Sequence, residues 1–181
     1  MTQLMMRHPG ELATVLPAVT APFVLREATI NDMPALAEAL QDAFGQSWTS
    51  ERVEQALLGA ADVVRTWLVT WDADVVGTAS ERLHEQYGGV GYVHWVGVRT
   101  SARGHHLGLT LTQACLVGFS QRDLHEAVLE TDDFRVSAIR TYLRAGFIPN
   151  YRTTVEQVAW SQVFQQLAPL SLSSSGKVTS V

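Results

Sequence analysis

A chain of 181 residues, 46% hydrophobic and 17% charged, has enough apolar material for one domain with a sizeable core. Its net charge of −5, with no lysine-rich run, argues against nucleic acid as a partner, and the single cysteine, Cys115, excludes an internal disulfide and a cysteine-based zinc site. No apolar run is long enough to cross a bilayer, and Arg7, His8, Pro9 and Glu11 interrupt what would have to be a signal peptide's apolar core, so the expected compartment is the cytoplasm.

Residues 1–22 carry Pro9, Gly10, Pro17 and Pro22 and read as an irregular arm. A strand is predicted over Phe23–Glu27, followed by a helix that Asn31 or Asp32 can cap. Met33, Leu36, Ala37, Leu40 and Phe44 supply its apolar stripe and Gly45 ends it. Thr49 or Ser50 can cap a second helix running to about Leu58. Strands follow over residues 63–71, 75–83 and 90–98, with Asp72-Ala73-Asp74 as the turn between the first two and Gly88-Gly89 in the link to the third. A helix over 106–121, with Cys115 as a buried inert thiol, a strand over 125–131, a helix over 136–145 and a last strand pair over 147–160 complete a domain spanning 23–165. The serine-rich segment after residue 165 reads as a flexible tail. Antiparallel strands first and a β-α-β-α-β half afterwards make a mixed, partly antiparallel α/β sheet flanked by helices. The strands at 90–98 and 125–131, joined through a helix, should run parallel.

The sharpest chemical signal is the passage Val96-Gly97-Val98-Arg99-Thr100-Ser101-Ala102-Arg103-Gly104-His105-His106-Leu107-Gly108-Leu109. A strand ends in a basic, glycine-bearing turn that opens directly into a helix. The first-turn N–H groups of that helix lack intrahelical acceptors, and glycine lets the backbone approach a phosphate closely. The turn lies at the C-terminal end of a parallel strand, where open α/β sheets bind ligands. It is neither a P-loop nor a dinucleotide fingerprint. Gly97, inside a strand, marks a bulge or a close backbone approach.

Val96-x-Val98, Arg103-Gly104-x-x-x-Gly108 and Ala138-Ile139-x-x-Tyr142-x-x-x-Gly146-Phe147 together resemble the GNAT superfamily of acyl-CoA-dependent N-acyltransferases, with the element order fitting over roughly residues 23 to 160. The resemblance implies acetyl-CoA as cosubstrate. Val96, Gly97 and Val98 would pair with its pantetheine arm, and Arg103, Gly104, His105, His106, Leu107, Gly108 and Leu109 would hold its pyrophosphate. Tyr142 would stand beside the thioester sulfur and protonate the leaving thiolate. Two positions depart from the family pattern. His106 stands where a middle glycine is usual, and Arg135 stands where an asparagine often contacts the cofactor arm.

Amine attack on a thioester also needs a proton acceptor and a polarised carbonyl. Glu81 and His94 are the candidate bases, and each reads equally well as an ordinary strand residue. Asp132 and Asp133 read as helix-capping carboxylates. His105-His106 are adjacent and diverge in direction, so no metal is expected. The acceptor pocket should lie beyond the end of the 90–98 strand, bordered by residues 31–58 and by the connection holding Glu81, His84, Glu85 and Tyr87. Among Trp48, Trp67, Trp71, Trp95 and Trp160, one or two could line it. The expected activity is N-acetylation of a primary amine on a small molecule or peptide, by a monomer or homodimer. The alternative is a non-catalytic acyl-CoA-binding module.

Overall fold

A computed structural model describes residues 1–83 and 85–167, so His84 and the tail beyond Leu167 lie outside the described residues. Seven strands form one sheet in the order β2-β3-β4-β5-β6-β1-β7. They are β1 (Gln3–His8), β2 (Phe23–Glu27), β3 (Val63–Trp71), β4 (Asp74–Arg82), β5 (Gly91–Val98), β6 (Ala127–Asp132) and β7 (Ile148–Asn150). The helices are α1 (Met33–Phe44), α2 (Ser50–Val53, continued by a π-helical stretch over Glu54–Leu58), α3 (Leu107–Ser120), α4 (Val136–Arg144) and α5 (Thr154–Leu167). One core packs Leu36, Leu40, Trp48, Val53 and Leu57 from the α1–α2 segment onto Leu68 and Val75 of the sheet. The other joins α3, α4 and α5, through Leu111, Phe119, Ile139 and Trp160, to Leu4, Met6, Val93 and Leu129. Cys115 is fully buried there, and burial pushes its thiol pKa up, as suits an inert core group.

Two expectations are corrected. Residues 3–8 are not part of an irregular arm but a strand set between β6 and β7, with Gln3 opposite Asp132 and Met6 opposite both Leu129 and Pro149. Leu4, Met5 and Met6 are all buried, the continuous apolar run of a strand covered on both faces. The 147–160 segment is not a strand pair: after three residues of β7 it becomes α5. Thr153 Oγ accepts from the Glu156 N–H at 3.2 Å while Glu156 accepts from the Arg152 N–H at 2.8 Å, which closes the helix start. Ala159, Trp160 and Val163 then bury a helical face.

β5 and β6 are parallel, as their connection through a helix requires. Their register holds only at Gly91↔Ala127 and Tyr92↔Val128, beyond which the two strands part.

Candidate active site

The gap between β5 and β6, open beyond Tyr92, contains a distortion in β5. Trp95 has φ of +48°, a left-handed conformation unusual for a bulky residue, and the β4–β5 register slips between Thr78↔Gly97 and Ser80↔His94. Packing holds this bulge in place: the Trp95 ring stands edge-on to Phe44 at 5.2 Å and to Trp48 at 4.8 Å. The two meanings open for Gly97 are thereby separated. The bulge belongs to Trp95, and Gly97 is the close approach, where a Cβ would sit 2.9 Å from a ring carbon of Phe44 and 3.0 Å from Ala43 Cβ.

Beyond Val98 the chain turns through Thr100–Ala102, tied to α1 by Asp42, which accepts from the Thr100 N–H, and by an Arg99–Glu38 ion pair at 2.8 Å. Gly104 then takes φ of +87° and His106 φ of +59° before α3 starts at Leu107. His106 thus holds the conformation that a glycine would take more easily, and its N–H is retained. Among the described residues, no backbone carbonyl accepts from the N–H groups of Leu107 or Gly108, which leaves them free for an anion.

A cavity of about 590 Å³ occupies the gap. Val96, Gly97 and Val98 form one wall, Arg103, Gly104, His106, Leu107, Gly108 and Leu109 its floor, and Arg135, Ala138, Thr141 and Tyr142 of the α4 segment the facing wall. His105 is the exception among the expected cofactor residues. It does not line the cavity and instead packs its ring 5.0 Å from Phe23 and 6.4 Å from Trp71 at the far edge of the sheet. Successive turn residues point in diverging directions, and His106 takes the inward one.

A second cavity of about 250 Å³ adjoins the first, and Phe44, Val96, Arg135 and Tyr142 line both. Tyr142 is buried, and desolvation pushes its hydroxyl pKa up to about 12, so the phenol keeps its proton at neutral pH. The Arg135 guanidinium lies 4.8 Å from the centre of the Phe44 ring, with its Nε 3.3 Å from Asp132. His94 lines the second cavity, stacked on Tyr92 at 5.2 Å. Burial, aided by the Arg82 charge, lowers its pKa to about 4, which makes the imidazole neutral across the physiological range. Its buried Nδ1 has no hydrogen-bond partner among the described residues.

Glu81 lines neither cavity. Residues alternate across a strand, and Glu81, opposite Val93, faces α3 while Ser80, opposite His94, faces the other way. The carboxylate is fully buried, accepts from the Trp67 indole N–H at 2.6 Å and pairs with Arg65 at 3.6 Å and Arg122 at 3.8 Å. Gly118 on α3 is the space it occupies, since a Cβ there would run into the carboxylate. Glu81 is thus a buried carboxyl of the core, placed outside both cavities. Asp132 and Asp133 do not cap α4 either. Asp132 pairs with Arg135, and Asp133 Oδ2 accepts from the Thr2 N–H at 2.9 Å, pinning the start of β1.

Phe44, Phe134, Gln3, Gln46 and Glu130 also line the cavities, and no sequence motif singles them out. Phe44 looks like the last core position of the α1 stripe. Gln3 and Glu130 come together only through the β1–β6 pairing, which nothing local signals.

Several solved structures share this architecture. A GCN5-related N-acetyltransferase from Sphaerobacter thermophilus superposes with a TM-score of 0.68 at 25% identity, covering 82% of this chain and 48% of its own. One from Kribbella flavida gives 0.56 at 23% identity, over 81% of this chain and 53% of its own. An Escherichia coli N-acetyltransferase of a ribosomal-protein alanine gives 0.60 at 16%, over 74% and 86%. The present chain thus spans about half the length of the first two. No curated protein matches it in sequence. The sequence model of the acetyltransferase (GNAT) family matches residues 33–147, which hold the bulged strand, the turn and Tyr142, and the chain belongs to that family.

Proposed function

We propose that the protein transfers the acetyl group of acetyl-CoA to a primary amine. The observation that carries this reading is the meeting of two cavities at Val96, Phe44, Arg135 and Tyr142, the larger one floored by unpaired helix-terminal N–H groups. The residues fit acyl-CoA. The N–H groups of Leu107 and Gly108, with Arg103 beside them, suit a diphosphate. The β5 edge that β6 leaves unpaired suits the amide-bearing arm. Arg135 adds a cation at the inner end. Acyl-CoA supplies an activated thioester there.

The β4–β5 ladder is interrupted at the Trp95–Val96 bulge, and a backbone N–H released there can hold the carbonyl oxygen as it gains charge. The amine nitrogen donates its lone pair to the carbonyl carbon, forming the C–N bond as the C–S bond breaks and its electron pair leaves on sulfur. Tyr142 gives that sulfur its hydroxyl proton, and the His94 imidazole, which borders the smaller cavity, takes through water the proton the nitrogen sheds. Proton return from His94 to Tyr142 through solvent leaves amide, thiol and the starting protein. Mixing the protein with acetyl-CoA and a panel of amines, and following thiol release, tests the reading. Tight acetyl-CoA binding without thiol release would make the protein an acyl-CoA-binding module instead.

A further inference from the structure

The larger cavity carries more positive charge than a diphosphate on the turn uses. Most arginines of this acidic chain are held by carboxylates, as Arg99 is by Glu38 at 2.8 Å and Arg135 by Asp132 at 3.3 Å. Arg103 and Arg144 are different. Both are exposed, both line the larger cavity, and among the described residues neither makes an ion pair or a hydrogen bond. Arg140, one turn before Arg144 on α4, is exposed and unpaired in the same way. Like charges four residues apart on a helix repel, and α4 holds no acidic residue to offset them. Arg7 is unpaired too, but on β1 it lines neither cavity.

The position of Arg144 along the cavity says what it faces. Arg135, just before α4, lines both cavities, whereas Arg144, in the last turn, lines the larger one alone and so marks the end remote from the reacting groups. Between them Thr141 stands next to the first turn of α3, with its Cγ2 3.7 Å from where a Cβ on Gly108 would lie. Arg144 follows Thr141 by three residues, hence on the same face and about 4.5 Å further along the axis. A diphosphate on the Leu107 and Gly108 N–H groups therefore has Arg103 beside it on the turn and Arg144 about one helical turn beyond it. The pantetheine arm leaves that diphosphate inward, toward Tyr142, so the nucleoside leaves on the Arg144 side. The ribose of CoA joins the diphosphate at its 5′ oxygen and carries a phosphate monoester at its 3′ oxygen, one sugar ring away. That monoester holds about two negative charges at pH 7, and a guanidinium can grip two of its oxygens at once.

Resting on the acyl-CoA reading above, we propose that Arg144 binds the ribose 3′-phosphate of CoA, with Arg140 adding to the positive field around it, and that the protein thereby selects CoA esters over their 3′-dephospho forms. The turn and β5 recognise parts that both forms share. Arg144 reads the part that differs.

Isothermal titration of CoA and of 3′-dephospho-CoA into wild type, Arg144→Gln and Arg144→Lys tests this. Arg144 is exposed, so glutamine there does not endanger folding. Wild type should bind CoA about tenfold more tightly than 3′-dephospho-CoA, the lower end of what a charge-assisted hydrogen bond contributes. Arg144→Gln should lose most of that preference by weakening CoA alone, Arg144→Lys should keep part of it, and the wild-type preference should shrink at high salt. Equal affinity of wild type for the two ligands, a preference that survives Arg144→Gln intact, or an equal loss for both ligands in that variant would overturn the assignment and leave the acyl-CoA reading standing. Wild type that binds neither ligand would overturn both.

Discussion

Gly108→Asp tests the diphosphate floor with little risk to the fold. Gly108 is the second residue of α3, and a Cβ there would lie 3.7 Å from Thr141 Cγ2 and 3.9 Å from Val98 Cγ2, ordinary contact distances, so alanine fits as a control. A carboxylate in the first turn of a helix is by itself stabilising by about 0.3–1 kcal/mol. Its effect on a bound diphosphate is the reverse. Two negative charges about 6 Å away cost about 1.4 kcal/mol in a bulk-water dielectric, and about four times that at the effective dielectric near a protein surface. Acetyl-CoA affinity should therefore fall at least about tenfold in the aspartate variant, change little in Gly108→Ala, and recover partly at high salt as the charges are screened. Isothermal titration of the three proteins at low and high ionic strength measures this. Aspartate and alanine variants with equal affinity would refute the placement of the diphosphate on this turn.

Tyr142→Phe keeps the ring and its packing, so acetyl-CoA affinity should hold while kcat falls by about 10²-fold or less, the range of a positioned proton donor; kcat equal to wild type from about pH 6 to 9 would make Tyr142 structural. Glu81→Gln should leave kcat within about twofold, because the carboxylate faces α3, and a loss nearer that of a general base would reinstate Glu81 in the cleft. Burial raises the Glu81 pKa against the opposing pull of Trp67 and Arg65, so the folded state binds this proton more readily than the unfolded chain. The Glu81 contribution to stability is thus present at acidic pH and lost as pH rises through the folded pKa, and melting curves of wild type against Glu81→Gln should diverge with pH in that sense. Gly104→Ala places a Cβ in open space but at φ of +87°, so it should cost about 1–2 kcal/mol in urea unfolding from the backbone alone, and an unchanged midpoint would contradict the left-handed turn.

The elements legible in the sequence are those with local signals. β2, β3, β4, β5, α1, α3 and α4 announce themselves through alternation, helical spacing and caps, and the turn at Arg103–Gly108 through its glycines and the free N–H groups at the start of α3. α5 carries an equally local signal, Thr153-x-x-Glu156 ahead of a helical apolar face, but Phe147, Ile148 and Tyr151 invite a strand reading. β1 is hidden because its partners are residues 127–132 and 148–150, far along the chain, and because Pro9-Gly10 breaks the pattern directly after His8. The base cannot be chosen by spacing alone. Glu81 and His94 lie on neighbouring strands and differ in which sheet face they present, and the register slip at Trp95, a bulky residue in a glycine-like conformation, helps set that face. His105 and His106 are told apart only by the φ angles of the turn.

The placement of β1 ties the two ends of the domain into a single closure. β1 finds both of its neighbours, β6 and β7, only once residues 127–150 are in place. Until then Leu4, Met5 and Met6 have no cover, and β6, once formed, has one open edge. Sequestering the opening residues, with a fused partner or a bulky tag pressed against Gln3, would leave an unpaired edge beside Asp132 and Glu130. That edge borders the smaller cavity. Assembly of the chain's start and completion of the pocket wall are therefore one event, and shortening the N-terminus would act on the acceptor side of the site before it touched the turn at Gly104.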